Sequence, residues 1–307
     1  MEEVIHDYAE KVPVDSMENK HVNYIPHTGV YHPRKPEKIS IVFDCSAPYQ
    51  GVSLNNHLLQ GPKLMNNLLG VLCKFHKEEV AFATDVKSMF HQFQVPKEDR
   101  DMLRFLWFDD NDPKKPVIEY RMKVDLFGAV SSPGCANFGL GKAADDGEQE
   151  FGSDAADFIR NDFYMDDGAV KILEGSKANC GKAGLKLHKI VSNSRDVLKS
   201  FPAEEIAKSF HELDLDVDPL SLQRALGIAW CTESDTFQFK FQVQERPLTQ
   251  RGVLSTISSI YDPSGFLGPV LLKGKVILHE VCHLKLDWDS PMPDSLQAEW
   301  RKWLDDI

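Results

Sequence analysis

The chain has 307 residues, 42% apolar and 27% charged, enough for one large globular body or two to three subdomains. Its net charge of −12 argues against a broad basic surface for non-specific nucleic-acid binding, and no run reaches the roughly 20 apolar residues of a membrane span. Cys45, Cys73, Cys135, Cys180, Cys231 and Cys282 form no C-x-x-C pair, so neither a disulfide framework nor a zinc knuckle is indicated; with an acidic N-terminus, this predicts a cytoplasmic or nuclear setting rather than secretion.

Charge is unevenly spread. Residues 20–38 set Lys20, Arg34, Lys35 and Lys38 against Glu37, a local balance of +3, and residues 240–285 set six Lys/Arg against Glu245, Asp262 and Glu280, again +3. Acids concentrate in 145–157 and in "HELDLDVD" at 211–218. A basic groove on an acidic body is compatible with this pattern, and its hold on nucleic acid would weaken steeply with salt.

In chain order, residues 1–40 read as an irregular extended arm, with prolines and a glycine in "NYIPHTGVYHPRKPEK". "ISIVFD" (39–44) reads as a strand, and "LMNNLLGVLCKF" (64–75) carries apolar residues at helical spacing. A strand "VAFATDV" (80–86) ends on Asp85, followed by the short helix "MFHQF". "LRFLWF" (103–108) and "IEYRMKV" (118–124) predict a hairpin across the turn-rich "DDNDPKKP". A helix is expected from Ser132 to Phe151, opened by Ser-Pro, leading into a strand "DFIRNDFYM". Beyond "GLKLHKIVSN" (184–193), "LGIAW" and "FQFKFQV" form a strand pair, and helices are expected near 248–261, 269–285 and 294–305. The pattern predicts a mixed α+β body with a helical end.

The chemistry-bearing stretch is "FYMDDG" (163–168), two adjacent carboxylates closing an apolar run before a glycine. Asp85 has the same context of apolar strand, acid at the tip, then turn. Two strand ends delivering acids to one sheet edge can hold two Mg²⁺ ions, which take oxygen ligands and keep waters for a phosphate-bearing substrate. Such a pair of ions supports in-line phosphoryl displacement. On general grounds Asp85 alone is equally at home as a strand-end cap.

These stretches, with "VFDCSAPYQGVSLNNHLLQGP", "DVKSMFHQF", "LFGAVSSPGCANF", "LHKIVSN" and "IYDPSGFLGP", resemble in order and spacing the reverse transcriptase region of BEL/Pao-type LTR retrotransposons over nearly the whole chain. The resemblance implies a right-hand polymerase with fingers and an antiparallel palm sheet over 41–230 and a helical thumb or connection region over 231–307, after an arm at 1–40. It implies that Asp85, Asp166 and Asp167 hold two Mg²⁺ or Mn²⁺ ions. It makes Phe90 the aromatic gate that rejects a ribose 2′-OH, and Gly128, Ser132 and Pro133 the loop-to-helix motif at template and nucleotide. Leu226 and Gly227 correspond to the primer-grip turn and Lys189 to the lysine that protonates departing pyrophosphate. Implied partners are an RNA or DNA template-primer and deoxynucleoside triphosphates, with the remaining polyprotein domains absent from this stretch. Taken singly, Phe90 also fits a core position, Ser-Pro an ordinary helix start, and Lys189 a solvated strand end.

Two departures from the family pattern count against activity of this copy. Ser40 stands where the family usually has an arginine expected to grip the triphosphate, and a hydroxyl cannot replace a bidentate guanidinium. Roughly ten residues are missing after Gly168, so either 169–173 supplies the return strand of the acid-bearing hairpin or the hairpin is lost, strands typically needing ~5–6 residues. A catalytically inactive remnant that binds nucleic acid or protein is therefore the alternative. A remote third reading is a zinc protease through H-E-x-x-H at His279, Glu280 and His283, which lacks an evident third ligand.

Overall fold

The computed structural model describes residue 1 and residues 4–13, 21–32, 35–75, 77, 79–170, 174–210, 222–239 and 245–307. Lys20 and Arg34 of the first basic stretch, residues 171–173 of the expected return strand, the acidic 211–218 and residues 240–243 of "FQFKFQV" lie outside the described residues.

The N-terminal segment expected to be irregular is drawn into sheets. After a short π-helical turn at Val4–Tyr8, β1 (Ala9–Lys11) adds to the edge of a later hairpin, and β2 (His27–His32) pairs antiparallel with β3 (Lys35–Phe43). Prolines at sheet edges and turns are compatible with such strands, which local composition alone does not reveal. The helix α1 (Leu68–Phe75) starts where the Asn67 Oδ1 accepts from the amides of Leu69 and Gly70. β4 (Phe82–Val86) follows and ends in a 3₁₀ turn at Met89–Gln92.

The predicted hairpin forms as β5 (Arg104–Phe108) and β6 (Val117–Met122), with β1 on the outer side of β6. Its buried charges are mutually paired. Asp101 Oδ1 accepts from Arg104 Nε and from Arg121 Nη1, both at 3.0 Å, while Arg121 Nε reaches Glu10 of β1 at 2.8 Å. This ties β1 to the hairpin by ion pairs as well as backbone bonds.

α2 (Ser132–Phe151) coincides with its expected span, with proline in its first turn. The stretch expected as one strand from residue 157 is mostly helix instead. Gly152, at φ +91°, breaks α2, and α3 (Ser153–Asn161) buries Ala155, Ala156, Phe158 and Ile159, whose spacing fits a helix face. Only β7 (Phe163–Tyr164) remains extended. β8 (Asp167–Val170) returns directly, so the hairpin is kept with residues 169–170 of the expected 169–173 in the return strand, and the glycine-bearing α4 (Glu174–Lys182) follows. β9 (Leu187–Ser192) and α5 (Arg195–Lys199) complete this part.

β7, β8, β4 and β9 form a four-stranded antiparallel sheet in that order. Alternation along β4 divides two cores. Phe82 and Val86 pack with Leu140, Ala144, Phe158 and Leu187 under the helices, whereas Ala81 and Ala83 face Val71, Phe75, Val191 and Trp230. Asp85, two residues beyond Ala83, falls on the second face.

β10 (Leu222–Ala225), β11 (Ile228–Cys231) and β12 (Thr236–Gln238) make a small antiparallel sheet. The chain ends in α6 (Gln250–Ser259), α7 (Gly268–His283) and α8 (Asp294–Asp305), close to their expected spans, around Val253, Ile277, Val281, Trp300 and Trp303. No helix among the described residues is long and apolar enough to cross a membrane.

Candidate active site

The carboxylates far apart in sequence meet on the central sheet. Asp85 and Asp167 are direct partners in the β4–β8 register, and the Val86 amide donates to the Asp166 carbonyl at 2.8 Å. Directly opposed residues on antiparallel strands share a face, with Cβ atoms roughly 4.5–5.5 Å apart. The turn between β7 and β8 consists of Met165 and Asp166 alone, with Met165 at φ +59°, the left-handed first position of a type II′ turn. Gly168 is required beside it, because a Cβ there would come within 2.6 Å of the Phe163 ring. Asn66 fixes the strand entry by donating from Nδ2 to the carbonyls of Arg160 and Phe163 at 2.9 and 2.8 Å.

The electrostatics follow from crowding. Burial raises the Asp167 carboxyl to about 6, and the charges of Asp166 and Asp85 add to the rise. Asp166 is also raised, by burial first and Asp85 next. Asp85 itself is engaged. Lys189 Nζ binds Asp85 Oδ2, and His188 Nε2 lies 3.4 Å from Asp85 Oδ1.

Adjacent residues of a regular strand point to opposite faces, so two neighbours on one carboxylate need a break in the strand. Lys189 supplies it. Its φ of +54° coincides with a register shift between β4 and β9, and Thr84 Oγ1 donates to the His188 carbonyl at 3.0 Å beside it. Burial outweighs the nearby Asp85 charge and lowers the basicity of His188.

Among the described residues, no three metal-ligating side chains stand together in a geometry that holds an ion, the carboxylates included. The donor set nevertheless suits a hard divalent cation. It has two carboxylates opposed in strand register and a third in the adjoining turn; Asp166 and Asp167 are raised in pKa by burial first and by neighbouring acids next, and Asp85 is neutralised by a lysine.

The residues expected at the nucleotide flank this sheet. Phe90 sits in the 3₁₀ turn after β4, and its half-buried ring meets that of exposed Phe127 edge-on at 5.8 Å. Gly128 follows at φ +111°, where a Cβ would crowd the Phe43 carbonyl at 3.0 Å. Asn55 latches this loop, donating from Nδ2 to the Gly128 carbonyl and accepting the Val130 amide at Oδ1, both at 2.9 Å. Ser132 Oγ is 2.6 Å from Asp125 Oδ1 and 2.7 Å from the Leu126 carbonyl, so it ties the loop to α2, while Pro133 is exposed.

Leu226 and Gly227 form the two-residue turn between β10 and β11, with φ of +52° and +82°, the type I′ signature. Tyr261 lies against it. Its hydroxyl donates to the Leu226 carbonyl at 3.3 Å, and burial first, then the charges of Tyr164 and Asp167, raise its pKa. Tyr261 thus holds the expected primer-grip turn and lies within electrostatic reach of Asp167. An open cleft of about 750 Å³ lies alongside, lined by Arg224, Gly227, Gln238 and Tyr261 among others. Sequence reasoning assigned no role to Asn55, Asn66, His188 or Tyr261. All four lay within quoted stretches, but their roles arise from contacts with residues distant in the chain.

Residues 249–307 match the family model of the Pao retrotransposon-like RNaseH-like domain. That heading differs from the thumb or connection region expected there. No curated protein matches the chain. Among solved structures, the fold is similar to that of the foamy viral protease-reverse transcriptase in complex with double-stranded DNA, at 13% identity and a TM-score of 0.55 over 97% of this chain and 44% of that one. The same viral protein in complex with an RNA/DNA hybrid gives 11% identity and a TM-score of 0.52 over 94% of this chain and 34% of that one. This chain spans less than half the length of either. Together these findings give the chain the α+β fold of those viral structures and point to a retroelement polyprotein.

Proposed function

We propose that the chain is the RNA-directed DNA polymerase region of a BEL/Pao-type retrotransposon polyprotein. The observation that carries this reading is the direct pairing of Asp85 with Asp167 beside the Met165–Asp166 turn, on a fold similar to the viral polymerase structures. In this reading the central sheet is the palm, the segments around β2, β3, β5 and β6 are fingers, and the chain after 231 is a thumb or connection region grading into the RNaseH-like stretch.

Asp85, Asp166 and Asp167 would hold two Mg²⁺ or Mn²⁺ ions, which supply charge neutralisation and nucleophile activation when bound. Leu226 and Gly227 position the primer so that its 3′-oxygen faces the α-phosphate of a deoxynucleotide. The 3′-oxygen–phosphorus bond forms as the 3′-hydroxyl proton passes to solvent water and the bond to pyrophosphate breaks, and Lys189, released from Asp85, donates a proton to the leaving group. Phe90, braced by Phe127, excludes a 2′-hydroxyl by bulk, and Gly128, Ser132 and Pro133 shape the base side.

A second reading, a non-catalytic nucleic-acid binding remnant, is favoured by two observations: exposed Ser40 on β3 in the place of the expected arginine, and the closure of Asp85 by Lys189. The test is Mg²⁺-dependent extension of a primed RNA template by the chain and by a Ser40→Arg form. Extension lost in Asp166→Asn supports the polymerase. Salt-sensitive binding without extension in both forms supports the remnant.

A further inference from the structure

On α7, His279 and His283 stand one helical turn apart on an exposed face. Their Nε2 atoms approach to 3.2 Å, with ring planes at 82°. The contact requires one ring to carry its proton on Nε2 and the other on Nδ1, so one Nε2 lone pair and one N–H point at the same spot.

Replacing that shared proton by a metal ion needs little rearrangement. With metal–nitrogen bonds of roughly 2.0–2.1 Å, a nitrogen separation of 3.2 Å corresponds to an angle of about 100° at the metal, close to tetrahedral. The helix backbone fixes the spacing, so little ordering entropy is spent on binding. Cys282, between them in sequence, is turned away, its Sγ accepting from Gln250 Nε2 of α6 at 3.4 Å.

We infer that His279 and His283 form a bidentate site for a borderline transition-metal ion of the Zn²⁺ class, open to solvent at its remaining positions. Among the described residues no third ligand side chain joins them, so the site is a two-imidazole chelate and not a hydrolytic zinc centre. Imidazole nitrogens favour Zn²⁺, Ni²⁺ and Cu²⁺ over Mg²⁺, which keeps this site chemically separate from the carboxylates. The inference stands independently of the polymerase reading, since it uses neither those acids nor any nucleic acid.

The test is equilibrium titration of the reduced full chain with Zn²⁺ against a chromophoric chelator, in the presence of millimolar Mg²⁺, for the natural sequence, His279→Asn, His283→Asn and Cys282→Ser. One binding equivalent should weaken at least tenfold in each histidine variant and persist in Cys282→Ser, and Zn²⁺ should raise the melting temperature only where both imidazoles remain. All three side chains are exposed, so circular dichroism should show an unchanged helix content. Zn²⁺ binding unaltered in either histidine variant, or lost in Cys282→Ser while the histidine variants retain it, would overturn the inference.

Discussion

Asp85 and Asp167 face each other across β4 and β8 with no residue offset, two carboxylates in an arrangement where like charges destabilise a sheet. The Asp167 carboxyl stands at about 6 against an ordinary value of 3.8. A raised acid binds protons more tightly in the folded chain than in the unfolded one. Its contribution to stability is therefore present below about pH 4 and is lost as pH rises through 6. Asp167→Asn should stabilise the fold at pH 7 by on the order of 2 kcal/mol, allowing for solvent screening, and flatten the pH dependence between 4 and 6. Denaturant unfolding across that range measures it, and an unchanged midpoint at neutral pH would show that folding does not raise this carboxyl.

Lys189 serves as a tethered counter-ion for Asp85. Lys189→Ala should free that carboxylate and tighten Mn²⁺ binding several-fold, while lowering the rate of any nucleotide addition the chain performs. Paramagnetic relaxation during an Mn²⁺ titration reports the affinity without requiring turnover. Weaker binding in the variant would mean that the lysine supports the cluster instead of closing it.

Gly227→Ala should cost about 1–2 kcal/mol. The position has φ +82°, and the added methyl would stand 2.9 Å from the Tyr261 ring. The turn should also shift, releasing the Tyr261 hydroxyl from the Leu226 carbonyl. Comparing the melting temperature with that of Tyr261→Phe separates backbone strain from the lost hydrogen bond.

Asp101→Ala should cost about 3 kcal/mol, because it removes the buried carboxylate that Arg104 and Arg121 share and leaves Glu119 and Glu10 to balance the two guanidinium groups from more exposed positions. Chemical denaturation gives the figure. A loss below 1 kcal/mol would indicate that Glu10 and Glu119 suffice to hold Arg121 and Arg104.

Much of this architecture was legible along the chain. The Ser-Pro start placed α2, and the helical stretches read near 248–261, 269–285 and 294–305 placed the terminal helices. Asp85 and Asp167 share an edge as their matching contexts implied. The N-terminal strands were not legible, because β1 exists only through pairing with β6, more than 100 residues later. α3 was misread as strand because Phe158 and Ile159 suit either structure, and packing against the sheet decides between them. The closure of Asp85 by Lys189 and His188 depends on a bulge, which periodicity along one strand cannot reveal.

The brevity of the Met165–Asp166 turn has one more implication. With only two residues to reverse the chain, inserting or deleting a single one would slip β8 by one step and send Asp167 to the opposite side, among Phe82, Leu140 and Phe158. In a lineage accumulating changes, the length of that loop is then guarded more strictly than most of its side chains, and indels there should end the line sooner than substitutions.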